Sequence, residues 1–302
     1  MLRHARQAAL LAVCAVAACA EDTPPLPPPE PPVGMGLVSV SGKRSVEQTL
    51  DRVEAKLKED DGQSIVARID HADEAVGDLP PTEGIVFGEP AVIAPLLRRN
   101  QLAGLDLPLT MLAWDEAADE ATEVVHSTPE YIAERHGLTG APELGRLEAT
   151  LRGLVEDAAG LGATPDVGAR SPAAAEGIVT RGVEGDVDEV VQRIERAAES
   201  SKLDVIDVVD HRRDARREGE RLRPTTLVLI RDPRSEEELT SSKRTFAVDL
   251  PLRVLAYEDA RGETRVAYND AAYLARRHLV TGEERAVRRL GEQLEKVVRE
   301  AG

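Results

Sequence analysis

One pattern occurs twice in this chain. AGLDLPLTMLAW (Ala103 to Trp114) and FAVDLPLRVLAY (Phe246 to Tyr257) lie 143 residues apart around a shared Asp-Leu-Pro-Leu. The correspondence runs outward at matched spacing. Pro81-Thr82 answers Pro224-Thr225, Gly88-Glu89-Pro90 answers Arg231-Asp232-Pro233, and YIAERH (Tyr131 to His136) answers YLARRH (Tyr273 to His278). Upstream, Ile69-Asp70-His71 matches Val209-Asp210-His211. A duplication of this extent restricts the chain to two copies of one folding unit, and 302 residues suffice for each copy to bury its own core.

Each copy reads as the same succession of elements. Apolar runs at Val38–Val40 and Ile178–Val179 predict a first strand, and Ser45 and Asp186 predict helix N-caps because their side chains can accept an early backbone N–H. Val46, Leu50, Val53 and Leu57, or Val187, Val191 and Ile194, then recur at helical spacing. SIVARID and LDVIDVVD read as second strands, and Ile85–Phe87 and Leu227–Ile230 as third strands. After Pro108 and Pro251, residues alternate in period two, which predicts a half-buried strand that starts where proline's missing N–H does no harm. EATEVVHS and GETRVAYN supply a following antiparallel strand. The stripes Leu144, Leu147, Leu151, Leu154, Ala158 and Val287, Leu290, Leu294, Val297 predict closing helices. The fold class is α+β, with a first domain over 36–161, a Gly/Ala/Pro-rich linker over 162–176 and a second domain over 177–302.

The first residues read as an export signal. Arg3 and Arg6 precede the short apolar run AALLAVCAVAA, and Val16-Ala17-Ala18-Cys19 resembles a bacterial lipobox, so a signal peptide over 1–18 and acylation of Cys19 are expected. TPPLPPPEPPVG within residues 19–35 favours extended polyproline II, a tether that would hold the domains off the membrane. The expected location is the bacterial cell envelope. After cleavage one cysteine remains, which excludes a structural disulfide within the chain and a thiolate metal site. The formal charge of −17 argues against nucleic acid as a partner, because counterion release needs clustered Lys and Arg.

IDHADEAVGDLPPTEGIVFGEP, LLRRNQLAGLDLPLTMLAWDE and STPEYIAERHGL, in that order, resemble the family called domain of unknown function 302. The second half is similar through VVDHRRDARREGERLRPTTLVLIRDP and VDLPLRVLAYEDARGETRVAYNDAAYLARRH. The resemblance implies two tandem TATA-binding-protein-like β-α-β4-α domains, often in secreted or lipid-anchored bacterial proteins. The family has no established reaction, so no catalytic role carries over. The copies also depart from one another: His126-Ser127 in the first stands where the second has Tyr268-Asn269.

No GxSxG, HExxH or dinucleotide GxGxxG occurs, and GLVSVSGKRS lacks both the spacing and the Ser/Thr of a phosphate loop. Trp114 and Tyr257, with Tyr131, Arg135, Tyr273 and Arg277, are the candidates to line a pocket, because aromatics are only 2% of the chain and recur at equivalent places. Asp70, His71 and His136, with Asp210, His211 and His278, form a polar set that could serve a metal only by converging in space. Arg212, Arg213, Arg216, Arg217, Arg221 and Arg223 follow His211 where Asp73, Glu74 and Asp78 follow His71, a contrast that suggests docking of the two domains on each other. These observations favour a non-catalytic ligand-binding or scaffold module without a cofactor or resident metal. The alternative is an envelope enzyme, hydrolase-like or metal-dependent, using Asp70, His71 and His136.

Overall fold

The computed structural model describes residues 33–73, 79–115, 121–160, 166–168 and 171–302. The expected signal peptide over 1–18, Cys19 and most of the proline-rich segment lie outside them. The first copy runs β1 (Leu37–Gly42), α1 (Val46–Lys58), β2 (Ser64–Asp70), β3 (Thr82–Gly88), α2 (Pro90–Arg99), a 3₁₀ turn (Gln101–Leu105), β4 (Leu109–Trp114), β5 (Thr122–Ser127), α3 (Pro129–His136) and α4 (Glu143–Ala159). A two-residue strand β6 (Asp166–Val167) follows. The second copy repeats the order with a short helix, α6, after its second strand: β7 (Ile178–Gly182), α5 (Val187–Ser200), β8 (Asp204–Asp210), α6 (His211–Arg217), β9 (Thr225–Arg231), α7 (Pro233–Ser242), a 3₁₀ turn (Arg244–Asp249), β10 (Leu252–Glu258), β11 (Thr264–Asn269), α8 (Ala271–Arg277) and α9 (Glu284–Ala301). Stripped of its short helices, each copy is β-α-β4-α.

Both sheets are antiparallel and share one topology, β2-β3-β4-β5-β1 in the first copy and β8-β9-β10-β11-β7 in the second. The same irregularity recurs in each second strand, between Ile65 and Ala67 and between Val205 and Asp207. The caps form for the local reason the sequence provides. The Ser45 side chain accepts from Gln48 N, and Asp186 makes a full capping box with Glu189. One face of each sheet is closed by its long helices, with Val46, Leu50, Val53 and Leu57 beside Leu147, Leu151 and Leu154 in the first copy.

Three expectations change. β4 and β10 are not half-buried: every residue from Leu109 to Ala113 and from Leu252 to Tyr257 is buried. Their second faces, rather than meeting water, meet the other copy, so Leu112 and Val125 join the second copy's apolar cluster while Leu105 packs with Val209, Leu227 and Leu255. The segment assigned to the tether is ordered at its end, where Met35 is buried and its N–H donates to Arg277 O at 2.8 Å. Part of the linker is a strand, because Val167 and Asp166 pair with Val38 and Ser39 on the outer edge of β1.

Gly36 and Gly177 immediately precede β1 and β7 at φ +65° and +71°, each packed against a tyrosine ring. A β-carbon would stand 2.3 Å from Tyr131 and 2.0 Å from Tyr273. Gly36→Ala and Gly177→Ala therefore combine backbone strain with overpacking and should each cost about 2–4 kcal/mol in urea unfolding. Gly137→Ala, at φ +63° with nothing within 4 Å, should cost no more than about 1–2 kcal/mol.

Candidate functional site

The repeated residues converge where α3 and α8 meet. Thr128 and Asp270 cap these helices by accepting from Tyr131 N and Tyr273 N, which aims each tyrosine inward. The two phenols meet, with Tyr131 Oη 2.7 Å from Tyr273 Oη. One turn on, each arginine lies over the other copy's ring, Arg277 Cζ 4.0 Å from the Tyr131 centroid and Arg135 Cζ 4.6 Å from the Tyr273 centroid.

Each guanidinium is spent on fixed partners. Arg135 donates to both oxygens of Asp106 (3.1 and 2.8 Å), to Glu176 O and, across the copies, to Asn269 Oδ1 at 2.7 Å. Arg277 donates to both oxygens of Asp249 (2.5 and 2.6 Å), to Met35 O and, in the reciprocal crossing, to Ser127 Oγ at 2.7 Å. The histidine that follows each arginine binds the same carboxylate, His136 Nε2 at 2.5 Å from Asp106 and His278 Nε2 at 2.6 Å from Asp249. All these Arg, Asp and His side chains are between 0% and 8% exposed. Although burial alone would raise them, the adjacent guanidinium and imidazole hold Asp106 and Asp249 far below the usual carboxylate range. Ionised carboxylates can only accept, so each Nε2 carries its proton and donates it.

A second pair of crossings flanks this centre. Arg253 of β10 donates to Pro108 O (2.8 Å) and Thr110 Oγ1 (2.9 Å) of the first copy, and Gln101 donates to Thr225 Oγ1 (2.8 Å) of the second. Beside it α6 lies on α2. Ala215 and Leu222 enter the first copy's apolar cluster, Arg223 reaches Gln101 Oε1, and Glu220 pairs with Arg98. Arg213 and Arg217 instead pair with Asp214 on their own helix. Of the acidic counterparts, Asp73 is exposed, and Glu74 and Asp78 lie outside the described residues.

The remaining sequence candidates are placed apart. Among the described residues, the rings of Tyr131 and Tyr273 meet guanidinium groups, while Trp114 and Tyr257 sit at or near the ends of their strands. Trp114 ends β4 opposite Thr82 and Glu123, and Tyr257 packs near the end of β10 with Leu105 and Leu227. Asp70 accepts from Ala72 N and Asp73 N, and Asp210 caps α6 by accepting from Arg213 N. The polar set does not converge either: His136 is bound to Asp106, whereas His71 lies against Arg231, Pro233 and Glu236 of the second copy. His211 takes the mirrored position against Pro90, Ile93 and Leu97 of the first. Both are buried, and among the described residues their Nε2 atoms have no hydrogen-bond partner. Desolvation pushes each imidazole down to about 4, so both are neutral at pH 7. Among the described residues no group of three or more His, Cys, Asp or Glu is arranged to hold a metal, and no helix is long and apolar enough to cross a membrane.

Asp106 and Asp249 are site residues that lie outside the sequence candidates. They are the Asp of the duplicated Asp-Leu-Pro-Leu, and an acid kept beside an otherwise apolar strand in both copies was the available signal.

A tandem α+β chain closed around crossed Arg–Tyr pairs is the class that fold and site define. It belongs to the family described as Domain of unknown function DUF302, whose model matches residues 38–158 and 179–301. The crystal structure of uncharacterized conserved protein DUF302 from Bacillus stearothermophilus is 13% identical and covers 42% of this chain and 100% of its own, with a TM-score of 0.40. The Fluoride-specific ion channel FluC 1 of Brucella suis biovar 1 (strain 1330) is 39% identical over 109 residues, 35% of this chain and 42% of that protein. The Fluoride-specific ion channel FluC 1 of Brucella abortus biovar 1 (strain 9-941) is 39% identical over 109 residues, 40% of its length. This chain thus spans less than half the length of these curated relatives.

Removing Asp249 strands a buried guanidinium, so Asp249→Ala should destabilise by about 3–5 kcal/mol in urea, and Asp106→Ala likewise. Glu236, buried in the first turn of α7, is pushed up to about 8 by desolvation. Its folded pKa lies above the unfolded value of 4.5, so the unfolded chain sheds the proton first and stability falls as pH rises from about 4.5 to 8. Glu236→Gln should leave the melting temperature unchanged near pH 4 and raise it at pH 8.

Proposed function

We propose that this chain is a non-catalytic binding or scaffold module of a bacterial envelope, tethered through an acylated Cys19, whose two copies act as one rigid body. One observation carries the reading. The polar residues kept in both copies, Asp106/Asp249, Tyr131/Tyr273, Arg135/Arg277 and His136/His278, satisfy one another in a buried centre. General acid–base chemistry needs its group within hydrogen-bond reach of a substrate proton, and a group already bound and enclosed on all sides does not offer that. Asp70 is likewise engaged with the backbone that follows it.

The envelope part of the reading is supported by the sequence of residues 1–35, with its basic start, short apolar run and Val-Ala-Ala-Cys ending. Similarity to part of proteins named as fluoride-specific ion channels supports a role associated with membrane transport.

In cells fed a labelled fatty acid, the full chain should take up label and sediment with membranes, and Cys19→Ala should lose both; a Cys19→Ala chain that keeps its label contradicts the tether. Mass spectrometry of envelope extract incubated with the purified chain should show no product that depends on His71 or His136. A product abolished by His136→Asn in a folded variant would contradict the non-catalytic reading.

A further inference from the structure

We propose that the first copy alone carries a binding groove for a small amphiphile with an aliphatic tail and a cationic head, at a place the second copy has filled in. This deepens the reading above by naming a ligand class for the binding module, and it rests on that reading.

The groove lies between the sheet and α4. Val38 and Val40 of β1, His126 of β5, Leu151 and Val155 of α4 and Val167 of β6 enclose about 470 Å³. Clefts that hold small molecules are typically about 300–1,000 Å³ and mostly apolar. Val167 is 56% exposed, an aliphatic side chain left in water at the rim.

The second copy serves as an internal control. Strand pairing aligns Leu37 with Ser127 and Ile178 with Asn269, which equates Val38 with Val179, Val40 with Arg181 and His126 with Tyr268. The buried stripes of the closing helices equate Leu151 with Leu294 and hence Arg152 with Glu295. At these positions the second copy bridges its strand to its helix, and its own cleft, of about 420 Å³, lies further along, around Ala271, Ala275, Val280 and Val287. Arg181 donates to Glu295 at 2.7 Å, bridging strand to helix, and interacts with the hydroxyl of the larger Tyr268. In the first copy Val40 cannot make that bridge, His126 is smaller than tyrosine, and Arg152 has the opposite charge to Glu295. Three substitutions on three elements open one space, whereas drift on a solvated face has no reason to converge there.

The mouth sets the head group. Glu130, Glu148 and Glu156 stand there against the guanidinium of Arg152, in a chain of formal charge −17. A carboxylate head would enter a field of its own sign, while an ammonium head is attracted and its tail covers the valines and Leu151.

Calorimetric titration of the purified full chain with decyltrimethylammonium, decanol and decanoate, each below micelle formation, tests this. The ammonium should bind saturably, one per chain, at least about tenfold tighter than decanoate. Val40→Arg/His126→Tyr/Arg152→Glu, which installs the second copy's filling, should weaken binding at least about tenfold with no loss of thermal stability. If that triple variant does not fold, His126→Tyr alone should show the weakening. Glu148→Gln/Glu156→Gln should bring the ammonium down toward decanol. No saturable binding, equal or tighter binding of decanoate, or unweakened binding by the filled variant would overturn the inference. Membrane sedimentation of the Cys19 parent reports separately on the tether, so a failed groove and a failed envelope reading give different results.

Discussion

Among the guanidinium groups buried inside this molecule, those of Arg135 and Arg277 are each pressed on a tyrosine of the opposite copy, and much of the fold is arranged so that they can stay there. Burying a cation is unfavourable unless its N–H groups and its charge are answered. Each copy supplies the carboxylate for its own arginine, Asp106 or Asp249, and the other copy supplies the ring, a side-chain oxygen and a lead-in carbonyl. The opening motif is duplicated because Asp-Leu-Pro-Leu does two jobs at once. Its Asp holds the arginine, and the strand after it presents one face to its own helices and the other to the neighbouring copy.

How legible this was depended on distance along the chain. The caps at Ser45 and Asp186, the stripes of the long helices and the strand order β-α-β4-α are consequences of patterns within ten or so residues, and they could be read directly. The full burial of β4 and β10 could not, because period-two alternation looks the same whether the second face meets water or another domain. Tyr131 and Arg135 were recognisable as a pair on one helix face, but their partners Asp106, Asn269 and Glu176 lie 29 to 134 residues away with no pattern to connect them. The histidines show the same limit. His136 and His278 sit beside their carboxylates, and His71 and His211 sit against the opposite copy, a division that identical residue type and matched spacing did not reveal.

Comparison of the copies separates what the centre requires from what it tolerates. Ser127 and Asn269 differ, yet each accepts from the crossing arginine, so the requirement is an oxygen at that reach. Arg213, Arg216 and Arg217 after His211 are exposed, while Ala215, Leu222 and Arg223 of the same stretch meet the first copy. Beyond the sheet, at Val40, His126 and Arg152, the copies diverge in concert, which marks that face as one where the two halves have taken separate roles.

The account stands on the two copies forming a single cooperative body. Trp114, the chain's one tryptophan, lies in the first copy, while helices of both copies contribute to the far-ultraviolet signal. Urea unfolding of the full chain, followed at once by Trp114 fluorescence and by far-ultraviolet circular dichroism, should give superimposable transitions with one midpoint and one slope. A fluorescence transition completed while the ellipticity still reports a folded half would show that the copies stand independently, and that the crossed arginines do not join them.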